Sequence, residues 1–164
     1  MADDFLVQLF EHKAWSNQRL VEAFRAAPPE ADRGQVVVAL FTFDHTSRVD
    51  RVFRAHLGGP AHGLDTVVAS RMPDLDAMAS VMVETDAWFV NYAGRATPHD
   101  LATVVEFAYV DNGDPGCMTK GQMLAHLITH GASHRGAIGK MLELAQVSAA
   151  SDMVTTFVST GAAT

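Results

Sequence analysis

The chain has 164 residues, 48% of them apolar and 19% charged, which favours one compact domain and argues against extended disorder. The net charge of -7 with neutral histidines argues against a nucleic-acid binder and against binding to an anionic membrane surface. Cys117 is the single cysteine, so no internal disulfide can form. The sequence begins Met-Ala-Asp-Asp, unlike a signal peptide, and has no apolar run of the roughly 18 residues that a membrane span needs. We therefore expect a cytoplasmic protein.

Apolar residues at helical spacing predict four long helices, over residues 4–26, 35–57, 74–92 and 119–144. Pro28 and Pro29 predict the end of the first helix, because proline disfavours a helical conformation in the residue before it. Thr119 with Gln122 three residues later is a capping-box pattern that marks the start of the fourth helix.

The segment between the third and fourth helices is rich in residues that favour strands and turns. Residues 101–110 are rich in Val, Phe and Tyr, and a cluster of turn residues follows at 111–116. We expect an extended segment there, or a small hairpin. The elements together predict an all-α fold: one four-helix bundle of the up-down-down-up type over residues 1–148, with this segment in its long crossover. The tail, residues 149–164, is expected to be a short helix or partly ordered.

Three histidines at four-residue spacing dominate the fourth helix: His126, His130 and His134. Residues four apart lie on one face of a helix, and neutral imidazole is the commonest ligand for divalent metal ions. One helix supplies at most two of the three to one ion, because His126 and His134 are about 12 Å apart along the axis. A second helix must supply another ligand. His45 lies in the middle of the apolar face of the second helix and is the natural candidate.

We choose His130 and His134 as the partners of His45, because glycines flank them and permit a neighbouring element to approach closely; these are Gly131 and Gly136. His126 then becomes a hydrogen-bond partner of a ligand or a packed core residue. The alternative is that all these histidines are ordinary buried or surface side chains. Three histidine ligands would leave an open coordination position, as catalytic metal sites do. Zinc or nickel is favoured, and iron, cobalt, copper and manganese are left open.

Other polar residues have weaker claims. Arg135 is a candidate to bind an anionic group of a substrate, or to form an interior salt bridge. Asn17 is a second candidate for substrate binding. Glu106 and Tyr109 on the extended segment are further candidates for side chains that reach the open position. Asp44 and Asp50 are candidates to orient an imidazole, although we expect them to lie in solvent.

Several of these residues also form a pattern. The fourth helix carries His130-Gly-Ala-Ser-His134-Arg135-Gly136, the first carries Trp15-Ser16-Asn17, and the second carries Phe43-Asp44-His45. In this the chain resembles the DinB-like (YfiT-like) family of metal-binding four-helix bundles over most of residues 4–146. The resemblance implies that His45, His130 and His134 bind a divalent ion. The family often has Gln after His-Arg-Gly, where this chain has Ala137, which alters the pocket wall.

The resemblance also implies a function. Relatives in the family act as thiol-dependent transferases or isomerases that use low-molecular-weight thiols, and they commonly form homodimers. We therefore expect a small-molecule substrate, a thiol in particular, and a metal-dependent S-transferase or isomerase. The alternatives are a metal-dependent hydrolase, a non-catalytic metal-binding or small-ligand-binding protein linked to stress, and a plain helical bundle in which the histidines only pack.

Overall fold

The computed structural model describes residues 2–148 and 152–161, and there the chain is mostly helical with one small antiparallel sheet. The elements, in chain order, are α1 (Ala2–Arg25), α2 (Arg33–His56), α3 (Leu75–Arg95), α4 (Pro98–Ala102), β1 (Val104–Ala108), β2 (Pro115–Thr119), α5 (Lys120–Leu144) and α6 (Val154–Ser159). This composition agrees with the predicted all-α class. Within the described residues, no helix combines the length and apolar character needed to cross a membrane.

Side-chain caps fix the starts of the long helices. Asp32 accepts hydrogen bonds from two backbone N–H groups at the start of α2, and Asp74 accepts one at the start of α3. The capping box predicted at the start of α5 is present. The Gln122 N–H donates to Thr119 Oγ1 at 3.1 Å, and the Thr119 N–H donates to Gln122 Oε1 at 2.8 Å.

The four long helices begin and end within three residues of the predicted positions. Sequence periodicity did not reveal α4, because five residues are too few to show a helical pattern. The extended segment is a hairpin in which Val104 pairs with Thr119 and Ala108 with Pro115. Cys117 lies in β2. Helix α6 lies in the predicted tail, of which residues 149–151 and 162–164 fall outside the described residues.

Two apolar groups form the core, and polar residues lie between them. One group includes Leu20, Phe43, Met82 and Ile138, and the other includes Phe10, Val49, Phe89 and Leu127. Helices α1 and α2 each contact both α3 and α5. Each of the four long helices carries residues of both groups, and along its sequence a polar residue lies between them. These polar residues are Lys13, His45, Asp86 and His130. The fold therefore gathers its unusual polar residues near the middle of the long helices.

Candidate metal centre

Three histidines from two helices converge at one place. His45 comes from α2, and His130 and His134 come from α5; we call these three residues the histidine cluster. One ring nitrogen from each lies within 4.8 Å of the others. The Nε2 atoms of His45 and His130 are 3.3 Å apart, and the rings of His130 and His134 have centroids 4.4 Å apart. The structure thus brings together the three side chains that were singled out from the sequence.

A backbone carbonyl orients His45. Its Nδ1 lies 3.0 Å from the carbonyl oxygen of Val67. A carbonyl oxygen only accepts hydrogen bonds, so Nδ1 carries the proton, and Nε2 of the neutral ring keeps its lone pair directed toward His130. The Val67 N–H in turn donates to Asp111 Oδ1 at 3.0 Å. Sequence analysis missed Val67, because a contact made by the backbone leaves no pattern in the side chains.

Burial favours the neutral form of the two histidines on α5. Burial, followed by the neighbouring histidines, lowers the pKa of His130 to about 3. Burial and the nearby His45 also lower the pKa of His134. Imidazole binds a metal ion in its neutral form, so the competition from protons at these two positions is weakened near neutral pH.

The donor set and spacing fit a divalent metal ion. Two nitrogens that bind one ion tetrahedrally at about 2.0–2.1 Å lie roughly 3.3–3.4 Å apart. The separation of 3.3 Å between the Nε2 atoms of His45 and His130 matches that edge. The histidine cluster could therefore hold such an ion. Cys117 is exposed on β2 and is not part of it.

The match to known families agrees with this geometry. A family model described as the DinB family covers residues 1–157 of the chain. The chain belongs to the DinB family. The resemblance drawn from the sequence motifs is confirmed. A search of curated proteins gives no significant match, and neither does a search of solved structures.

In this DinB-family chain, His126 lies beside the cluster without a hydrogen bond to it. Its ring stacks on that of His130, with centroids 5.1 Å apart, and on that of Phe53, with centroids 4.9 Å apart. Its side chain is half-buried, and burial lowers its pKa. Among the described residues His126 contacts His130 by stacking, which agrees with the packing role considered for it, and a hydrogen bond from His126 to a ligand stays a prediction.

A second polar group lies deeper among the helices. Lys13 on α1 is 2% exposed, and its Nζ lies 2.6 Å from a carboxylate oxygen of both Asp50 and Asp86. Asn17 donates to the other oxygen of Asp86 at 2.8 Å. We call these four residues the lysine cluster. Asn17 was predicted to bind substrate, and that role stays a prediction; here its amide binds Asp86.

Two expectations about acidic residues are wrong. Asp50 was expected in solvent but is 4% exposed, and burial raises its pKa to about 6 against the pull of the Lys13 ammonium. Burial opposes a charge on Lys13, but the two carboxylates outweigh it and raise the pKa of Lys13. Asp44 is also buried, where it pairs with Arg48. Both carboxylates form ion pairs, so neither orients an imidazole.

Arg135 joins α5 to the segment before α6. It is buried, and its Nε donates to Asp152 at 3.0 Å. This is the interior salt bridge considered for it, and contact with a substrate stays a prediction. Gly131 is buried, and a Cβ there would lie 3.0 Å from Nη1 of Arg135 and 3.7 Å from Cε of Lys13. Gly136 faces open space, so the close approach expected at both glycines occurs only at Gly131.

Proposed function

We propose that this chain is a metal-dependent enzyme of the thiol-dependent S-transferase or isomerase type. Its ligands would be His45, His130 and His134, with zinc or nickel favoured as the metal. The observation that carries the proposal is the convergence of three imidazoles from two helices, with Nε2 atoms 3.3 Å apart. The contacts of α1 and α2 with both α3 and α5 support a four-helix bundle as its frame, and we propose that this bundle is of the up-down-down-up type.

Neighbouring residues set the tautomer and the protonation of the proposed ligands. Val67 fixes the tautomer of His45, and burial keeps His130 neutral, so both rings offer a lone pair. A divalent ion held there would supply a positive charge that lowers the pKa of a thiol placed beside it. In the proposed transfer, sulfur forms a bond to an electrophilic carbon of the substrate. The bond to the leaving group breaks with its electron pair, and the thiol proton ends on that leaving group.

Thiol chemistry is preferred over hydrolysis because of what contacts the histidines. Hydrolysis at such a site needs a general base that removes a proton from water. Within residues 2–148 and 152–161, the ring nitrogens of the histidine cluster contact the Val67 carbonyl and one another, and none forms a hydrogen bond with a carboxylate. A thiol ionises more readily than water and does not depend on such a base.

The remaining parts of the proposal concern partners and location. We propose a low-molecular-weight thiol as one substrate, a homodimer as the assembly and the cytoplasm as the compartment. The net charge of -7 supports the absence of a nucleic-acid partner.

The test is metal content, measured by inductively coupled plasma mass spectrometry on untagged protein. The variants are His45→Ala and His130→Ala, and His99→Ala at an exposed position on α4 is the matched control. We expect about one ion per chain in the wild type and the control, and less than about a tenth of that in the two cluster variants. Circular dichroism establishes that each variant is folded.

A second measurement separates chemistry from binding. Metal-loaded protein is mixed with 1-chloro-2,4-dinitrobenzene and, in turn, cysteine, glutathione and coenzyme A. Thioether formation that disappears in His45→Ala supports the transferase. Stoichiometric metal without turnover on this or a wider panel of electrophiles would favour a non-catalytic metal-binding protein. Absence of metal, even after zinc or nickel is added, would contradict both and leave the histidines as packing residues.

A further inference from the structure

A cavity of about 300 Å³ lies beside the histidine cluster, between the β1–β2 hairpin and helices α2 and α5. We call it the hairpin cavity. Its walls are largely apolar and aromatic, and the main contributors are Val52, Phe53, Phe107, Tyr109, Met118 and His126. A volume of this size is at the lower end for small-molecule sites, so it suits a compact ligand with one or two rings.

The wall chemistry favours a flat aromatic ligand. Phe53 and Phe107 have ring centroids 6.3 Å apart, and Phe107 also meets Tyr109 at 5.3 Å. Aromatic rings pack well edge-to-face and offset against such side chains. Met118 on β2 adds a flexible thioether that adapts to irregular shapes and packs well against rings.

Two wall residues also contact the histidine cluster. His126 stacks on His130 with centroids 5.1 Å apart, and Val67 accepts the hydrogen bond from His45 through its carbonyl. The cavity and the cluster therefore share a wall. A ligand in the cavity would lie beside whatever binds at the three histidines.

His126 also offers an unused polar contact. Within the described part of the chain its half-buried side chain forms no hydrogen bond. Stacking on Phe53 at 4.9 Å and on His130 fixes the plane of the ring. An imidazole can donate one hydrogen bond and accept another, so it would recognise a hydroxyl or carbonyl group on an aromatic ligand.

We infer that the hairpin cavity binds the electrophilic substrate, an aromatic molecule of one or two rings whose polar substituent forms a hydrogen bond with His126. The role of this ligand as a substrate rests on the proposed function, but its binding does not. The hairpin thus serves as the wall that selects an aromatic ligand, while the helices α2 and α5 carry the metal ligands.

The test uses 2-naphthol and naphthalene as probes in amide-resolved NMR titrations of the full chain. We expect 2-naphthol to bind with a dissociation constant below about 1 mM and to shift amide signals of Phe107, Met118 and His126. Met118→Trp fills the cavity and should weaken binding at least tenfold. Met72→Trp, at an exposed position outside the cavity, is the matched control and should bind as the wild type does.

Variants at two histidines isolate the polar contact and the dependence on metal. His126→Phe keeps a ring of similar size but has no nitrogen. It should weaken 2-naphthol about tenfold and leave naphthalene unchanged. His134→Ala should abolish thiol transfer and retain 2-naphthol binding. The NMR spectrum of each variant reports its fold.

The outcomes distinguish the two proposals. Binding of 2-naphthol in the cavity without any thiol transfer would keep the cavity as an aromatic-ligand site and remove the transferase. Thiol transfer with amide shifts elsewhere, or with equal binding in wild type and Met118→Trp, would overturn the cavity and keep the transferase. Equal loss of both probes in His126→Phe would overturn the hydrogen bond to His126.

Discussion

The two polar clusters near the middle of the helices differ in how completely they are bonded. In the lysine cluster, Lys13 reaches two carboxylates at 2.6 Å, and Asn17 occupies another oxygen of Asp86. In the histidine cluster, ring nitrogens of three histidines converge within 4.8 Å, and no carboxylate among the described residues pairs with them. Buried polar groups that satisfy one another hold a fold together, whereas groups that converge unsatisfied are arranged for a ligand.

The largest expected effect comes from Lys13→Ala. Removal of the ammonium leaves Asp50 and Asp86 buried without their cation, which costs about 3–5 kcal/mol of the free energy of unfolding. His134→Ala, at a half-buried position, should cost about 1 kcal/mol or less in metal-free protein. Urea denaturation monitored by circular dichroism measures both.

A matched control and a second measurement sharpen this contrast. Lys140→Ala removes an exposed lysine that pairs with Glu143, and it should change stability by less than about 1 kcal/mol. Zinc affinity should fall in His134→Ala and stay near the wild-type value in Lys13→Ala under conditions where that variant is folded. A loss below about 1 kcal/mol for Lys13→Ala would refute the structural role of the lysine cluster.

His130 and Asp50, one from each cluster, should change the stability of the fold with pH in opposite directions. Because the pKa of His130 is lowered from 6.5 to about 3, the unfolded chain takes up this proton first, and the metal-free fold loses stability as pH falls below about 6.5. The pKa of Asp50 is raised from 3.8 to about 6, so the folded state keeps its proton longer. Ionisation of Asp50 therefore costs stability as pH rises from about 4 to 6.

The free energy of unfolding of wild type and variant, compared over pH 4 to 7, isolates the contribution of each titrating side chain. Relative to His130→Gln, the wild type should lose about 1–2 kcal/mol as pH falls from 6.5 to 4, after allowance for the half-exposed ring. Relative to Asp50→Asn, it should lose a similar amount as pH rises from 4 to 6. Slopes of the same sign for the two variants would contradict the assignment.

These clusters also mark how far sequence reasoning extends. His130 and His134 were recognisable because spacing within one helix is a local property, and the four long helices follow from the same periodicity. The pairing with His45 depends on which helices pack together; the place of His45 in the apolar face of the second helix suggested it, and the family resemblance agreed. Lys13 and Asn17 are four residues apart, on a helix face shared with Phe10 and Leu20, which is a usable signal of buried polar residues.

The partners of Lys13 had no such local pattern. Asp50 and Asp86 are 37 and 73 residues away from it, and only the packed structure brings them to one ammonium. The Val67 carbonyl and the hairpin cavity are further cases, since the first is a backbone group and the second is formed by β1, β2, α2 and α5 together. Long-range contacts of this kind are set by tertiary packing and not by periodicity.

The smallest expected effect concerns Gly131, which lies at the boundary between the two clusters. Alanine favours a helix over glycine by about 0.5–1 kcal/mol, so Gly136→Ala should stabilise the protein by that amount, since its Cβ meets no atom within 4 Å. Gly131→Ala should gain little or nothing, because its Cβ would lie 3.0 Å from Nη1 of the buried Arg135.

Urea midpoints of the two glycine variants test this difference, and zinc affinity adds a second readout. Arg135 would have to shift from its bond with Asp152 to make room for the methyl group that Gly131→Ala adds beside His130. Equal stabilisation by both variants, with unchanged zinc affinity, would mean that Arg135 adapts freely to the added methyl group. A gain confined to Gly136→Ala would mean that the buried Arg135, held by Asp152, leaves no room for a methyl group on α5 next to His130.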